Sequence, residues 1–196
     1  MNRVFIGGSR HISHLTDDIK SRLKNIVEKH LQVLLGDASG ADKAVQSYFK
    51  QVHYNDVLVY CSGNSCRNNI GNWNKINVSV PPNLQGLQFY MVKDSKMAED
   101  SDYGFMLWDG KSSGTLSNVL NLLSRQKRTL LYFSPTKEFI TIAKLFDLKQ
   151  LLMKCDKSEI AKIDKKIGLY KTIDTLSNPI QTNLAFSSSS LETIEI

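Results

Sequence analysis

Nowhere in its 196 residues does the chain string together the ~20 apolar residues that a membrane-spanning helix needs, which argues against a membrane role. The start of the chain also lacks the basic-then-apolar order of a secretory leader, because Val4 to Ile6 runs straight into Gly7 and Gly8; the expectation is a cytoplasmic protein. Cysteine is sparse and odd in number: Cys61, Cys66 and Cys155 read as reduced thiols. Cys61 and Cys66 stand too far from any histidine to suggest zinc, so neither a metal nor a cofactor is expected. A basic stripe is missing as well. The formal net charge is +6, but Lys20, Arg22, Lys24 and Lys29 alternate with Asp17, Asp18 and Glu28, and the lysines beyond Lys144 are broken by Asp147, Asp156, Glu159 and Asp164. Mixed signs mark solvated helix faces, which disfavours nucleic acid as a partner and leaves a modest attraction for phosphate-bearing ligands.

What the chain does have is a repeated junction. Phe105, Met106, Leu107 and Trp108 form a short apolar run that ends in Gly110-Lys111-Ser112-Ser113-Gly114-Thr115 and opens onto the amphipathic stretch Leu116, Val119, Leu120, Leu122 and Leu123. A buried strand feeding a helix through small residues turns backbone N–H groups and the positive end of the helix dipole outward, where an anion can sit. Arg3 to Ile6 leads in the same way into Gly7-Gly8-Ser9-Arg10, and Val33 to Leu35 into Gly36-Asp37-Ala38-Ser39-Gly40-Ala41-Asp42. Three such loops emerge together at the carboxyl edge of a parallel sheet, the edge where open α/β sheets bind ligands.

At 41% hydrophobic content the length suits one sizeable core with a short appendage. Alternating strand and helix patterns predict a Rossmann-like α/β fold: an open parallel sheet with helices on both faces over residues 1–135, a helical appendage over 136–175 and a loosely ordered tail over 176–196. Thr16 is placed to cap the first helix. Ser62 to Gln85 reads as an irregular segment, a functional lid or disordered. Pro135-Thr136 is expected to start a helix running to about Lys154, with an apolar stripe of Ile140, Leu148, Leu151 and Leu152, and Lys157 to Ile173 to form a further helix; part of the stripe, together with Ile160, Ile163 and Ile167, is expected to bury against a second copy of the chain, making a homodimer.

Read in order, Phe5-x-Gly7-x-Ser9-Arg10, Gly36-x-x-x-Gly40-Ala41-Asp42, Arg67-Asn68, Met97-Ala98-x-x-x-Asp102 and Gly110-x-x-x-Gly114-Thr115 resemble the SLOG superfamily of Rossmann-like nucleotide-binding proteins, with the nearest look to its YspA-like branch. Relatives there include the lonely-guy phosphoribohydrolases and the DNA-processing protein A family. The resemblance spans about Met1 to Phe133 and implies a ligand built from nucleotide pieces, a nucleotide monophosphate or an ADP-ribose-like molecule. It departs from the hydrolase pattern at two places: Asn118 stands where those enzymes carry a glutamate, and Lys93 where they carry an arginine.

The expected ligand-binding set is accordingly Gly7, Gly8, Ser9, Arg10, Gly36, Asp37, Gly40, Asp42, Arg67, Asn68, Trp108, Gly110, Lys111, Ser112, Ser113, Gly114, Thr115 and Asn118. Arg10 is either a phosphate contact or a surface charge; Asp37 and Asp42 are acceptors suited to ribose hydroxyls, though Asp42 equally suits a helix start; Trp108 either stacks on a base or belongs to the core. The expected function is a sensor or binding module for a nucleotide-like small molecule. The alternative is an N-glycosidase, deoxyribosyltransferase-like or phosphoribohydrolase enzyme using Asp42, Glu99 or Asp102, with the carboxylates Glu99, Asp102 and Asp109 clustered around one strand. A nucleic-acid role ranks third.

Overall fold

The computed structural model describes residues 2–178; most of the tail, with its run Ser187 to Ser190, lies outside them. The elements are β1 (Arg3–Gly8), α1 (Asp17–Glu28), β2 (Gln32–Leu35), α2 (Ala41–Gln51), β3 (Val57–Ser62), β4 (Asn74–Val78), α3 (Gly86–Asp100), β5 (Tyr103–Trp108), α4 (Ser113–Ser124), β6 (Thr129–Phe133), β7 (Glu138–Ile142), α5 (Leu145–Met153), α6 (Lys157–Ile167) and α7 (Leu169–Ser177). The strands form one seven-stranded sheet in the order β4-β3-β2-β1-β5-β6-β7, parallel except for β7.

The sheet is covered on both faces, and strand periodicity divides the core accordingly. Val4, Ile6, Val33, Leu35, Phe105 and Leu107 point to the α1/α2 side, against Ile19, Leu23, Val45 and Phe49. Their neighbours Phe5, Leu34, Met106 and Trp108 point to the other side, against Met97 and Ala98 of α3 and Leu116, Val119 and Leu120 of α4. Successive side chains of a strand alternate faces, so a run buried on both reads as continuously apolar, as these do. Thr16 caps α1 as expected, its hydroxyl accepting the Ile19 N–H at 3.3 Å.

Five expectations are corrected. Pro135-Thr136 does not open a helix: with Lys137 at φ 57° it turns the chain back, and Phe139 to Ile142 run antiparallel to β6. The alternating, β-branched character of Phe139-Ile140-Thr141-Ile142 favours a half-buried edge strand over a helical turn. The expected long helix at 157–173 is two helices, broken where Gly168 takes φ 62° and ψ 46°. Ser62 to Gln85 is neither lid nor disorder throughout, since it supplies the edge strand β4. The expected homodimer stripe is spent within the chain: Leu148, Leu151, Ile160 and Ile163 are buried, with Leu152 and Ile167 packed beside them, where α6 and α7 pack on α4. Cys61 and Cys66 are joined as a disulfide across a Cα separation of 5.1 Å, so the expected reduced pair is corrected too. No helix among the described residues is long and apolar enough to cross a membrane.

Candidate functional site

From β1 the chain steps outward to β4, then crosses back to lay β5 against the other side of β1. Between two strands whose connections leave in opposite directions, the following loops part and leave a crevice. Here it is a cleft of about 480 Å³ at the carboxyl ends of β1 and β5. The β1 loop is fastened from both sides: Ser9 N–H donates to Leu107 O at 2.9 Å, and Ser9 Oγ to Asp109 Oδ2 at 2.7 Å. The β2 loop is tied to it through Ala41 N–H and Ser9 O at 3.1 Å. Gly40 sits at φ 74°, and a Cβ there would strike the Arg10 backbone, so the two loops meet only because this residue is glycine.

The loop after β5 is a narrower anion site than its glycines and serines imply. Asp109 Oδ1 accepts the Lys111 and Ser112 N–H groups at 3.1 and 2.8 Å, and Ser112 Oγ accepts Thr115 N–H at 3.3 Å and Thr115 Oγ1–H at 2.9 Å. Those donors are occupied by the protein itself. The free groups facing a ligand are the N–H groups of Ser113 and Gly114 in the first turn of α4, with the Lys111 ammonium. Burial disfavours the Asp109 carboxylate, but hydrogen bonds from Ser9, His11 and the two backbone amides outweigh it and hold its pKa below the ordinary value.

Behind the cleft lies a charged cluster. Asp37, 1% exposed, accepts from Arg67 Nη2 at 2.6 Å and from Arg67 N–H at 3.0 Å, with the Lys93 ammonium at 3.9 Å. Burial raises the Asp37 pKa, and the Arg67 bonds lower it further than burial raises it. Lys93 is buried beside Asp94 at 2.6 Å; burial works against its charge, yet Asp94, Asp42 and Asp37 keep it protonated, with a raised pKa. Asp42 accepts the Ala38 N–H at 3.1 Å, and burial pushes its pKa up to about 6 despite Lys93. Arg67 also lies over the ring of Tyr90, 3.9 Å from its centroid, with Arg10 at 5.7 Å. This cluster holds down the segment after β3: Asn68 donates to Asp37 O at 2.8 Å, and Gln46 accepts Ile70 N–H at 2.9 Å while donating to Gly36 O at 2.9 Å.

Of the residues expected at the site, Gly7, Gly8, Ser9, Arg10, Asp42, Arg67, Lys111 to Thr115 and Asn118 line the cleft. Gly36, Asp37, Gly40 and Asn68 stand behind that lining, and Gly110 turns toward Phe133. Asp37 is corrected as a ribose ligand because both its oxygens are taken by Arg67. Trp108 is corrected as a stacking platform: it is fully buried, packed on Phe133, with Nε1 donating to Ser112 O at 3.0 Å. The expected carboxylate cluster dissolves too. Asp102 accepts Arg3 N–H at 2.7 Å where β5 begins, Glu99 pairs with Lys96 on α3, and Asp109 lies beyond the opposite end of β5, so of the candidate catalytic carboxylates Asp42, Glu99 and Asp102 only Asp42 lines the cleft. Sequence reading missed Leu87, Tyr90 and Asp94 of α3, and Lys166 of α6. Nothing in their local pattern marks them, since α3 carries no glycine loop and Lys166 sits in a stretch that reads as solvated.

No protein-family model matches the chain, and no curated protein does. A solved structure of DNA processing protein A from Helicobacter pylori, determined to explain that protein's unique single-stranded DNA binding mode, superposes with a TM-score of 0.52 at 14% identity, covering 85% of this chain and 80% of that one. The fold is Rossmann-like. At this identity the likeness carries the architecture, and with it two expectations fall. The expected small-molecule sensor is corrected on this finding, since the protein of like fold was solved for its single-stranded DNA binding. So is the exclusion of nucleic acid, which rested on charges dispersed along the sequence. The fold gathers Arg10, Arg67, Lys93, Lys111 and Lys166, from five separate segments, around one cleft whose carboxylates are Asp42 and Asp94.

Proposed function

We propose that this cleft binds single-stranded nucleic acid, with Arg10, Lys111 and Lys166 at its mouth holding successive phosphates. The observation that carries the reading is the convergence of those cations, one from the β1 loop, one from the β5 loop and one from α6, on the crevice where the sheet order reverses. Charge contacts of this kind supply most of the sequence-independent affinity for a polyanion. The Ser113 and Gly114 N–H groups add directional donors to one phosphate, and the partly exposed Tyr90, with Arg67 on its ring, offers an aromatic wall of the sort single-stranded nucleic acid binders use. Likeness in fold to the Helicobacter pylori protein supports the same reading. The SLOG resemblance of residues 1–133 is compatible with it, as that group includes DNA-processing proteins, and α5 to α7 act as the extension that brings Lys166 to the cleft.

The test is fluorescence anisotropy with a labelled oligo(dT) over a range of salt. Binding should weaken with salt, the log–log slope reflecting about 0.7 per phosphate contacted. Replacing Arg10, Lys111 and Lys166 together by alanine should flatten that slope by about two. Absence of binding at low salt, or a slope unchanged in the triple variant, would overturn the proposal.

A further inference from the structure

Asn118 presents a problem that the phosphate contacts leave unsolved. It lies on α4, one turn beyond Thr115 on the same face, is 6% exposed and lines the cleft, yet its side-chain carbonyl Oδ1 is buried without a hydrogen-bond partner. A buried acceptor left unpaired costs stability, and such groups ordinarily find a partner in the protein, a water or a ligand. The cleft wall also carries the apolar side chains Phe5, Leu87 and Met97, and the Phe5 ring lies beside Asn118 across Gly7. The approach is kept open by Gly7, where a Cβ would stand 3.5 Å from Asn118 Nδ2 and 3.2 Å from the Phe5 ring.

The chemistry of the missing partner is constrained. Oδ1 accepts, so the group that meets it must donate. A phosphate at neutral pH is an acceptor and the deoxyribose of an internal nucleotide has no hydroxyl to give, whereas every base carries an N–H on its pairing edge. A flat ring edged with N–H also suits apolar walls better than a charged group does. Resting on the reading of the cleft as a single-stranded nucleic acid site, we infer that one unstacked base of the bound strand enters between β1 and α4 and gives an N–H to Asn118 Oδ1. The phosphates stay at the mouth on Arg10, Lys111 and Lys166. The cleft thus has two parts, an outer one for backbone and an inner one for a base. Because all four bases offer such an edge, the inner part detects the presence of a base rather than its identity.

The experiment compares oligo(dT) with an oligonucleotide of the same length built from abasic tetrahydrofuran units, on the wild-type chain and on Asn118→Leu, with a thermal melt confirming that the variant is folded. The wild type should prefer oligo(dT) by about tenfold, the worth of one well-made hydrogen bond with its accompanying burial. Asn118→Leu should lose most of that preference while holding the abasic strand as tightly as before. Asn118→Asp, of nearly the same shape, keeps the acceptor and adds charge, so it should bind both strands more weakly but retain the preference. Equal losses on both strands in Asn118→Leu, an unchanged preference in that variant, or loss of preference in Asn118→Asp overturns the base site while leaving the phosphate cleft standing. Binding of neither strand by the wild type overturns the cleft reading itself, and the base site with it.

Discussion

Ser9 Oγ donates to Asp109 Oδ2 at 2.7 Å, joining two loops that are 100 residues apart in the chain and form the two lips of the cleft. The same carboxylate receives the Lys111 and Ser112 amides on its other oxygen, so one side chain sets the spacing between the β1 loop and the start of α4. Asp109→Ala removes an acceptor from several donors at once and should lower stability by about 1–3 kcal/mol in urea unfolding. The sign of its pH dependence follows from its depressed pKa. Its contribution is present above the unfolded value of 3.8 and is lost as pH falls through the lower folded value, so the acid limb of the stability curve should be shallower in the variant.

Asp42 titrates in the opposite sense. Its pKa is raised from 3.8 to about 6 by burial, so its stability contribution is full below 3.8 and is lost as pH rises through 6. Asp42→Asn should be the more stable protein above pH 6 and should remove that slope. Protonation of Asp42 also deletes a negative charge from the cleft wall, so oligo(dT) should bind on the order of threefold tighter near pH 5.5 than at pH 7.5. Measured in a His11→Gln background, so that the exposed ring at the mouth does not contribute, this gain should vanish in Asp42→Asn; its persistence there would sink the assignment.

Arg67 joins the segment after β3 to the cleft through two bonds to Asp37 and its position over Tyr90. Arg67→Lys keeps the charge but not the planar fork, so it should speed limited proteolysis between residues 63 and 73 and cost about 1–2 kcal/mol. Asp37→Ala should be worse, since it leaves Arg67 and the buried Lys93 without a shared carboxylate. Equal protease resistance in all three proteins would show that the segment is held elsewhere.

Gly114 has open space where a side chain would grow: a Cβ there meets only Leu87 Cδ1, at 3.9 Å. Gly114→Phe should therefore fold, with a melting temperature within about 3 °C of the wild type. The ring would occupy the space before the first turn of α4 and should abolish oligo(dT) binding. Unchanged affinity by calorimetry would remove this loop from the interface.

How much of this was legible in the chain can be followed residue by residue. Runs such as Val33 to Leu35 and Phe105 to Trp108, bounded by glycine and followed by helical spacing, specify buried strands and covering helices because those patterns bury apolar area in only one way. The loops at Gly7, Gly40 and Gly114 likewise announced a crevice at one edge of a parallel sheet. Phe139 to Ile142 misled because a proline suits a helix start as well as a turn, and only pairing with β6 decides between them. The proposed partner lay beyond local pattern altogether. Arg10, Arg67, Lys111 and Lys166 stand far apart in the sequence, and only the folded sheet with its C-terminal helices brings them to one cleft. Hydrophobic periodicity is a local property written in each segment. Electrostatic complementarity depends on distances between segments, and these exist only once the chain has folded.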